Sequence, residues 1–424
     1  MSGYLILIFF FLILIRIPIG LSLVGASMIT ILIDGRFPLI IVVERMTSGL
    51  GTFILLAIPF FVMAGQLMNT GGITRRIFAF ANSTVGFITG GLAHANVIAS
   101  MIFSGMSGSA VADAGGLGAI EMKAMEDAGY EPEFGASVTA ASATVGPIVP
   151  PSIPFVVYAT IAEVSVGALF LGGFLPGVIL GLSLMIFIYI ISVKRGYQKT
   201  KFNLSTLLKT FKGAFLAMLT PLILIGGIVG GITTPTEAAV VAVVYAIFLG
   251  FFVYKELTLK KLADTLVESM VITASILLIM AGARAFSWII AIDNIPAKLA
   301  GFILASNINK YLFLFILNVL FLIFGTFMEG LSVMVITVPV LIKVFQALGI
   351  DPLHMGVVIT LNLMIGLITP PVGESLFMVS MVGGIKLEKV YKAVLPFLIP
   401  LITVLLLITY IPALVTWIPN MFYK

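Results

Sequence analysis

Two stretches of this chain carry the residue types from which an ion site at membrane depth is built. Residues 145–152 read Val-Gly-Pro-Ile-Val-Pro-Pro-Ser, and residues 365–372 read Ile-Gly-Leu-Ile-Thr-Pro-Pro-Val. Proline removes an amide donor and blocks the carbonyl four residues earlier, while glycine permits an unwound path. Carbonyls freed in this way ligate a hard cation such as sodium, and the half-helix that follows turns its N-terminus toward an anion. One such stretch is equally well explained as a proline kink. Two copies, each 45 residues after a glycine in a polar tip (Gly105 to Pro150, Gly325 to Pro370), point to paired sites. The tips add oxygens: the hydroxyls of Ser104, Ser107 and Ser109 in the first, that of Thr326 in the second, beside backbone carbonyls. Each hydroxyl also has a plain alternative, a bond to a carbonyl of its own helix.

Charges inside apolar runs are costly and by default functional. Asp113, Glu237, Arg284, Glu329 and Glu374 are of this kind, although Glu237 and Arg284 read equally as helix-end residues. Glu374 directly follows the second broken stretch and Arg284 follows a repeated Met-Ala-Gly, so these two are expected to line a substrate path. A competing chemistry exists. Residues 105–108, Gly-Met-Ser-Gly, match the GxSG of rhomboid-type intramembrane serine proteases, with Ser107 as nucleophile. That reaction needs a histidine base against the serine, and only His94 and His354 are available. No G-x-x-x-x-G-K-[ST] phosphate loop occurs, so energy for transport must come from an ion gradient or another subunit.

The elements that hold these residues follow from composition. Of 424 residues, 60% are hydrophobic and 10% charged, against about 45–50% and about 25% in soluble domains. A soluble enzyme is excluded. Runs 46–74, 77–112, 164–193 and 393–423 hold no charged residue, and each is long enough for a membrane helix of about 20 residues. The net charge of +5 does not indicate a nucleic-acid partner: residues 194–212 carry six basic residues and no acid, and without them 17 basic face 18 acidic. One cytoplasmic loop makes the excess. With no cysteine and two histidines, a thiol or His-rich metal centre is not expected. The run 4–33 reads as a retained first helix, not a cleaved signal.

Hydropathy predicts crossing helices at 4–33, 50–70, 137–160, 169–193, 214–232, 236–254, 266–287, 357–380 and 394–416. It also predicts re-entrant hairpins at 94–125 and 312–345, with halves of about 15 residues, too short to span alone. Residues 129–151 align without gaps on 349–371, seven of 23 positions being identical, and the same 220-residue offset pairs Gly105 with Gly325 and Leu175-Pro176 with Leu395-Pro396. If 72–92 and 293–309 lie as amphipathic arms along the interface, charge placement favours an inverted repeat, a cytoplasmic N-terminus and a periplasmic C-terminus. The expected division is a first repeat 1–212, a connecting transmembrane helix 213–232 and a second repeat 233–424.

In 104–118, 146–152, 230–246 and 366–373 the chain resembles the large membrane subunit of tripartite ATP-independent periplasmic (TRAP) transporters, and Thr234-Pro235-Thr236-Glu237-Ala238-Ala239 is the most specific of these stretches. The resemblance covers essentially the whole chain. It implies an all-α polytopic protein of the bacterial inner membrane, with two hairpins, two broken helices and an elevator-type architecture. Family members import organic acids on the sodium gradient, with no cofactor beyond the coupling ion. Expected partners are a small four-helix membrane subunit, here a separate chain, a soluble periplasmic binding protein and the lipid bilayer. Carried over by motif, one sodium site uses Ser104, Ser107 and Ser109 with Gly146, Val149 and Pro151. The other uses Gly325, Thr326 and Met328 with Gly366, Thr369 and Pro371. Substrate, of sialic or sugar acid or C4-dicarboxylate type, is expected near Ser152, Arg284, Glu374 and Asp113.

Overall fold

The computed structural model describes every residue except Thr52, Gly108, Ser109, Asn307 and Lys424, and gives the backbone alone for Gly49, Val111, Ala112 and residues 104–107. Its described residues form helices and turns, with no strand among them. Eight of these helices are long and apolar enough to cross a bilayer, or nine if the bent pair Pro132–Ile148 and Ile153–Ala162 is one span.

Helix starts follow local polar chemistry. Ser165, Asn203, Thr258 and Asp351 accept backbone amides at the starts of Val166–Arg195, Leu204–Val229, Leu259–Ile292 and Pro352–Gly366. The 234–239 motif is of the same kind. Thr234 N donates to Glu237 Oε2 at 2.7 Å, and Glu237 N to Thr234 Oγ1 at 3.3 Å, a capping box opening Pro235–Phe248. Glu237 is therefore a helix-end residue. Several expected boundaries move: 266–287 lengthens to Leu259–Ile292, and 394–416 is broken after Tyr410, with Ala413–Phe422 a separate helix. The stretch 4–33 is two helices, Ser2–Leu14 and Ile19–Asp34, because Arg16 takes φ +67° and Pro18 offers no amide. The helix expected from 214 begins at Leu204, on the Asn203 cap, which places Lys209 and Lys212 of the basic segment on a helix.

The arm Ile73–Val85 buries Ile73, Ile77, Phe78, Ala81 and Val85 along one face. Its 13 residues reach about 20 Å, short of the roughly 30 Å of a hydrocarbon core. It is anchored to the end of the Pro235 span by Arg76 Nη1, which donates to Glu256 Oε1 at 2.7 Å, with the guanidinium 4.0 Å from the centre of the Tyr254 ring.

Each hairpin packs on the first half of its own broken helix: Gly91–Ser107 on Pro132–Ala143, and Lys310–Phe327 on Pro352–Gly366. The second hairpin's halves, Lys310–Phe327 and Gly330–Ala347, have 18 residues each and are both among the eight helices long and apolar enough to cross a bilayer, so the expectation that such halves are too short to span alone does not hold for them. The second halves cross over. Ile153–Ala162 packs on Gly330–Ala347, and Glu374–Gly383 packs on Pro132–Ala143 and Ala110–Gly115. The two copies are thus interlocked, and Tyr158 Oη donates to Pro352 O at 2.6 Å across them. Outside this unit the long helix Leu259–Ile292 packs on Ile19–Asp34, Ile40–Leu50 and Ala57–Thr70.

Candidate functional site

Between the interlocked unit and the surrounding helices lies a cavity of about 700 Å³. The outer wall is Val62, Gly65, Gln66 and Asn69 on Ala57–Thr70, with Val271, Ile272, Ser275, Ile276 and Ile279 on Leu259–Ile292. The inner wall includes Phe103, Gly115 and Gly116 of the first hairpin and Pro147, Ile153 and Pro154 of the first break. Glu329 and Gly330 of the second tip, with Leu367, Glu374 and Met378, complete it. Ile153, Gly330 and Glu374 are the first residues of three helices. Three helix N-termini therefore line one cavity, each carrying roughly half a positive charge. The charged side chains among the described lining residues are both carboxylates, Glu329 and Glu374. Glu329 Oε2 accepts from Ser332 Oγ at 3.0 Å.

The second tip and second break meet directly. A Cβ on Gly366 would lie 2.6 Å from the Cα and carbonyl carbon of Gly325. Gly373 N donates to Thr326 O at 3.2 Å. Gly325, Thr326 and Gly366 are brought together as expected from the sequence. Pro370 and Pro371 lack the amides that the carbonyls of Gly366 and Leu367 would use in a helix. Those carbonyls accept instead from Thr369 N at 3.0 Å and Ser375 N at 3.1 Å. The hydroxyls of Thr326 and Thr369 each donate to carbonyls of their own turn, at 2.5 Å to Ile323 O and 2.7 Å to Ile365 O, which leaves their oxygens able to accept or ligate. Pro371 is exposed, and its carbonyl accepts from Tyr391 Oη at 2.5 Å. Met328 is half-buried in extended backbone at the break between the hairpin arms.

The first break is closed over. Gly146, Pro151 and Ser152 are buried and Val149 half-buried. A Cβ on Gly173 would lie 2.3 Å from Ile148 O, and one on Gly177 2.6 Å from Val149 Cγ2, so the helix Val166–Arg195 seats its glycine face on this break. Both Pro–Pro bonds, 150–151 and 370–371, are cis. Ser104 and Ser107 lie on Gly91–Ser107 with side chains outside the description, and Ser109 lies outside the described residues.

The expected substrate residues divide. Glu374 lines the cavity. Ser152 is fully buried, capping Ile153–Ala162, with Oγ donating to Pro147 O at 2.5 Å, while its neighbours Ile153 and Pro154 line the cavity. Asp113 is buried in the helix Ala110–Gly115 and is not among the lining residues. Arg284 is not among the lining residues. It reaches from the long helix to Thr160 O at 3.4 Å, at the C-terminal end of Ile153–Ala162, where a cation suits the helix dipole. Gln66, Asn69 and Ser275 had not been expected in the site. Their signal was present as polar residues inside apolar runs, Gln66 immediately after the repeated Met-Ala-Gly. Among the described residues no three of His, Asp and Glu gather as a metal site.

The protease alternative finds no geometric support. His94 and Ser107 lie on one helix 13 residues apart, about 20 Å along the axis, where a base needs about 3 Å. His354 Nε2 is hydrogen-bonded to Ile408 O at 2.7 Å.

A cavity bounded by helical scaffold on one side and paired tips and breaks on the other is the construction of a membrane transporter. The chain matches, over residues 6–414, the family described as "Tripartite ATP-independent periplasmic transporter, DctM component", and it belongs to that family, as a large membrane subunit. It is a multi-pass protein of the inner membrane. It is 46% identical over 406 residues to a sialic acid TRAP transporter large permease protein of Vibrio cholerae, covering 96% of this chain and 95% of that one. To the sialic acid TRAP transporter permease protein of Haemophilus influenzae it is 44% identical over 417 residues, 98% of this chain and 68% of that one. A C4-dicarboxylate TRAP transporter large permease protein of Pseudomonas aeruginosa is 41% identical over 369 residues, 87% and 86% of the two chains. In fold, the chain resembles the crystal structure of the Alcanivorax borkumensis YdaH transporter, with a TM-score of 0.63 at 14% identity over 89% of this chain and 88% of that one.

Proposed function

We propose that this subunit imports an organic acid, of the sialic acid type, on the sodium gradient by an elevator movement. The observation that carries the reading is the cavity shared between the long helix Leu259–Ile292 and three helix N-termini. An acid's carboxylate is favoured at those N-termini, and the hydroxyls of a sugar acid find acceptors and donors in Glu329, Glu374, Gln66, Asn69 and Ser275. Sodium ions occupy the two tip-and-break pairs, held by the residues named above for each. The interlocked unit moves as one body against the scaffold, and no covalent step is involved. The chain is two inverted copies, 1–212 and 233–424, around the connector 213–232. It works with a small four-helix membrane subunit and a soluble periplasmic binding protein that delivers the substrate. The sialic acid preference rests on the names of the two relatives at 46% and 44% identity.

The test is uptake in proteoliposomes holding this chain with its small subunit and binding protein. Labelled sialic acid should accumulate under an inward sodium gradient and not when choline replaces sodium. Undiminished uptake in choline would overturn the coupling, and uptake of succinate alone would overturn the substrate.

A further inference from the structure

One turn before each break, a buried polar side chain joins the broken helix to the ascending arm of its hairpin. In the first copy Ser142, four residues before Gly146, donates through Oγ to Asn96 Oδ1 at 2.5 Å. Asn96 Nδ2 in turn donates to Thr139 Oγ1 at 2.8 Å, and Ser100 Oγ lies 3.1 Å from Ser142 Oγ. In the second copy Asn362, four residues before Gly366, donates through Nδ2 to Asn318 Oδ1 at 2.9 Å and to Asn318 O at 3.0 Å. Asn318 Nδ2 continues to Thr409 Oγ1 at 3.0 Å. Ser142 and Asn362 are equivalent positions of the 220-residue repeat. All of these side chains are 4% exposed or less.

We propose that these two sets are latches: Asn96 with Ser142, and Asn318 with Asn362, are positioning residues that fix the ascending arm of each hairpin against its broken helix. The inference rests on the reading that cations bind at the tip-and-break pairs. The physical need is plain at the second pair, where Gly325 and Gly366 touch backbone to backbone. No side chain projects from these two glycines to hold the tip in register, so beside the Gly373 N to Thr326 O hydrogen bond at 3.2 Å its place depends on where the arm is pinned below. Apolar packing is non-directional and tolerates sliding, whereas a hydrogen bond in a low-dielectric interior fixes both rotation and axial position. The second latch is also not optimised for stability. Asn362 Oδ1 is buried without a partner, a cost that an apolar residue at this position would avoid. Its presence here fits a role in geometry.

The experiment uses the full transporter in proteoliposomes, with sodium titrated at saturating substrate. Ser142→Ala and Asn362→Leu should each raise the KM for sodium about tenfold, since each strands a buried partner. Vmax at saturating sodium should stay within about twofold. Ser142→Thr, which keeps the hydroxyl, should restore the wild-type KM. The pair variant Asn318→Leu/Asn362→Leu, which strands less, should shift KM by less than the two single changes combined. A wild-type KM in both Ser142→Ala and Asn362→Leu, or a fall in Vmax alone, overturns the latch. If wild-type uptake ignores sodium, the cation reading fails, and hydrogen exchange then judges the latch separately. Peptides covering 325–330 and 366–372 should exchange faster in Asn362→Leu than in wild type, and equal rates overturn it.

Discussion

Gly325 and Gly366 form the point at which the second hairpin tip touches the second broken helix, with a Cβ on Gly366 falling 2.6 Å from two backbone atoms of Gly325. Backbone on the far side cannot rotate away as a side chain would, so Gly366→Ala must part the tip from the break. Overpacking of this kind costs about 1–3 kcal/mol. The expected result is a sodium KM raised by about tenfold or more, with a lower melting temperature in detergent. Gly226→Ala is the control. It lies within the helix Leu204–Val229 with nothing inside 4 Å of an added Cβ, and should gain up to about 1 kcal/mol of stability. A sodium KM unmoved in Gly366→Ala would show that this contact is not part of a cation site.

The cavity makes a separate prediction, because its polar groups stand on both of its walls. Gln66 and Ser275 belong to the outer helices, Glu329 to the second tip. Gln66→Leu, Ser275→Ala and Glu329→Gln should each raise the substrate KM, by about threefold to tenfold for one lost hydrogen bond. Sodium KM at saturating substrate should hold in the two outer-wall variants, which touch neither tip. Substrate binding that ignores all three changes would place the substrate elsewhere.

Sequence reading reached the helices, the hairpins and the broken stretches because each has a local cause: apolar run length, and glycine or proline at the break. The placing of Gly325 with Gly366 in one site came from the family motif, and the two glycines are in backbone contact. Sequence reading missed what depends on three-dimensional contact. Arg284 was expected on the substrate path because it follows the repeated Met-Ala-Gly, and no sequence pattern marks its contact with the end of a neighbouring helix. Gln66 and Asn69 stand out only as polar residues in an apolar run, a pattern that membrane helices tolerate, and it is the packing of the long helix opposite that makes them a cavity wall. The exchange of second halves between the two copies left no mark in hydropathy.

Arg284 supplies a prediction of the opposite kind. Its contact with Thr160 O links the long helix to the second half of the first broken helix, so an elevator movement between them must break it. A cation at a helix C-terminus contributes about 0.3–1 kcal/mol. Arg284→Gln should leave the substrate KM within about twofold and shift Vmax by about twofold to fivefold. A large rise in substrate KM with Vmax intact would return Arg284 to the substrate path.

At the far end of the same long helix, Asp293 accepts from Ser2 N at 2.6 Å and Ser2 Oγ at 2.7 Å, fastening the helix Ser2–Leu14 to it. The Ser2 amide, and then its hydroxyl, hold the Asp293 carboxyl down at about 2, against an ordinary value of 3.8. A carboxyl depressed by folding contributes stability that is complete above its unfolded value and is lost as pH falls through the folded one. The window is therefore from about 4 down to about 2. Asp293→Asn should melt below wild type at pH 7, and the difference should close across that window, because the wild-type carboxylate becomes neutral while the amide does not titrate. Thermal unfolding in detergent at a series of pH values reads this directly. A difference that stays constant down to pH 2 would mean that the Ser2 contact does not favour the ionised form.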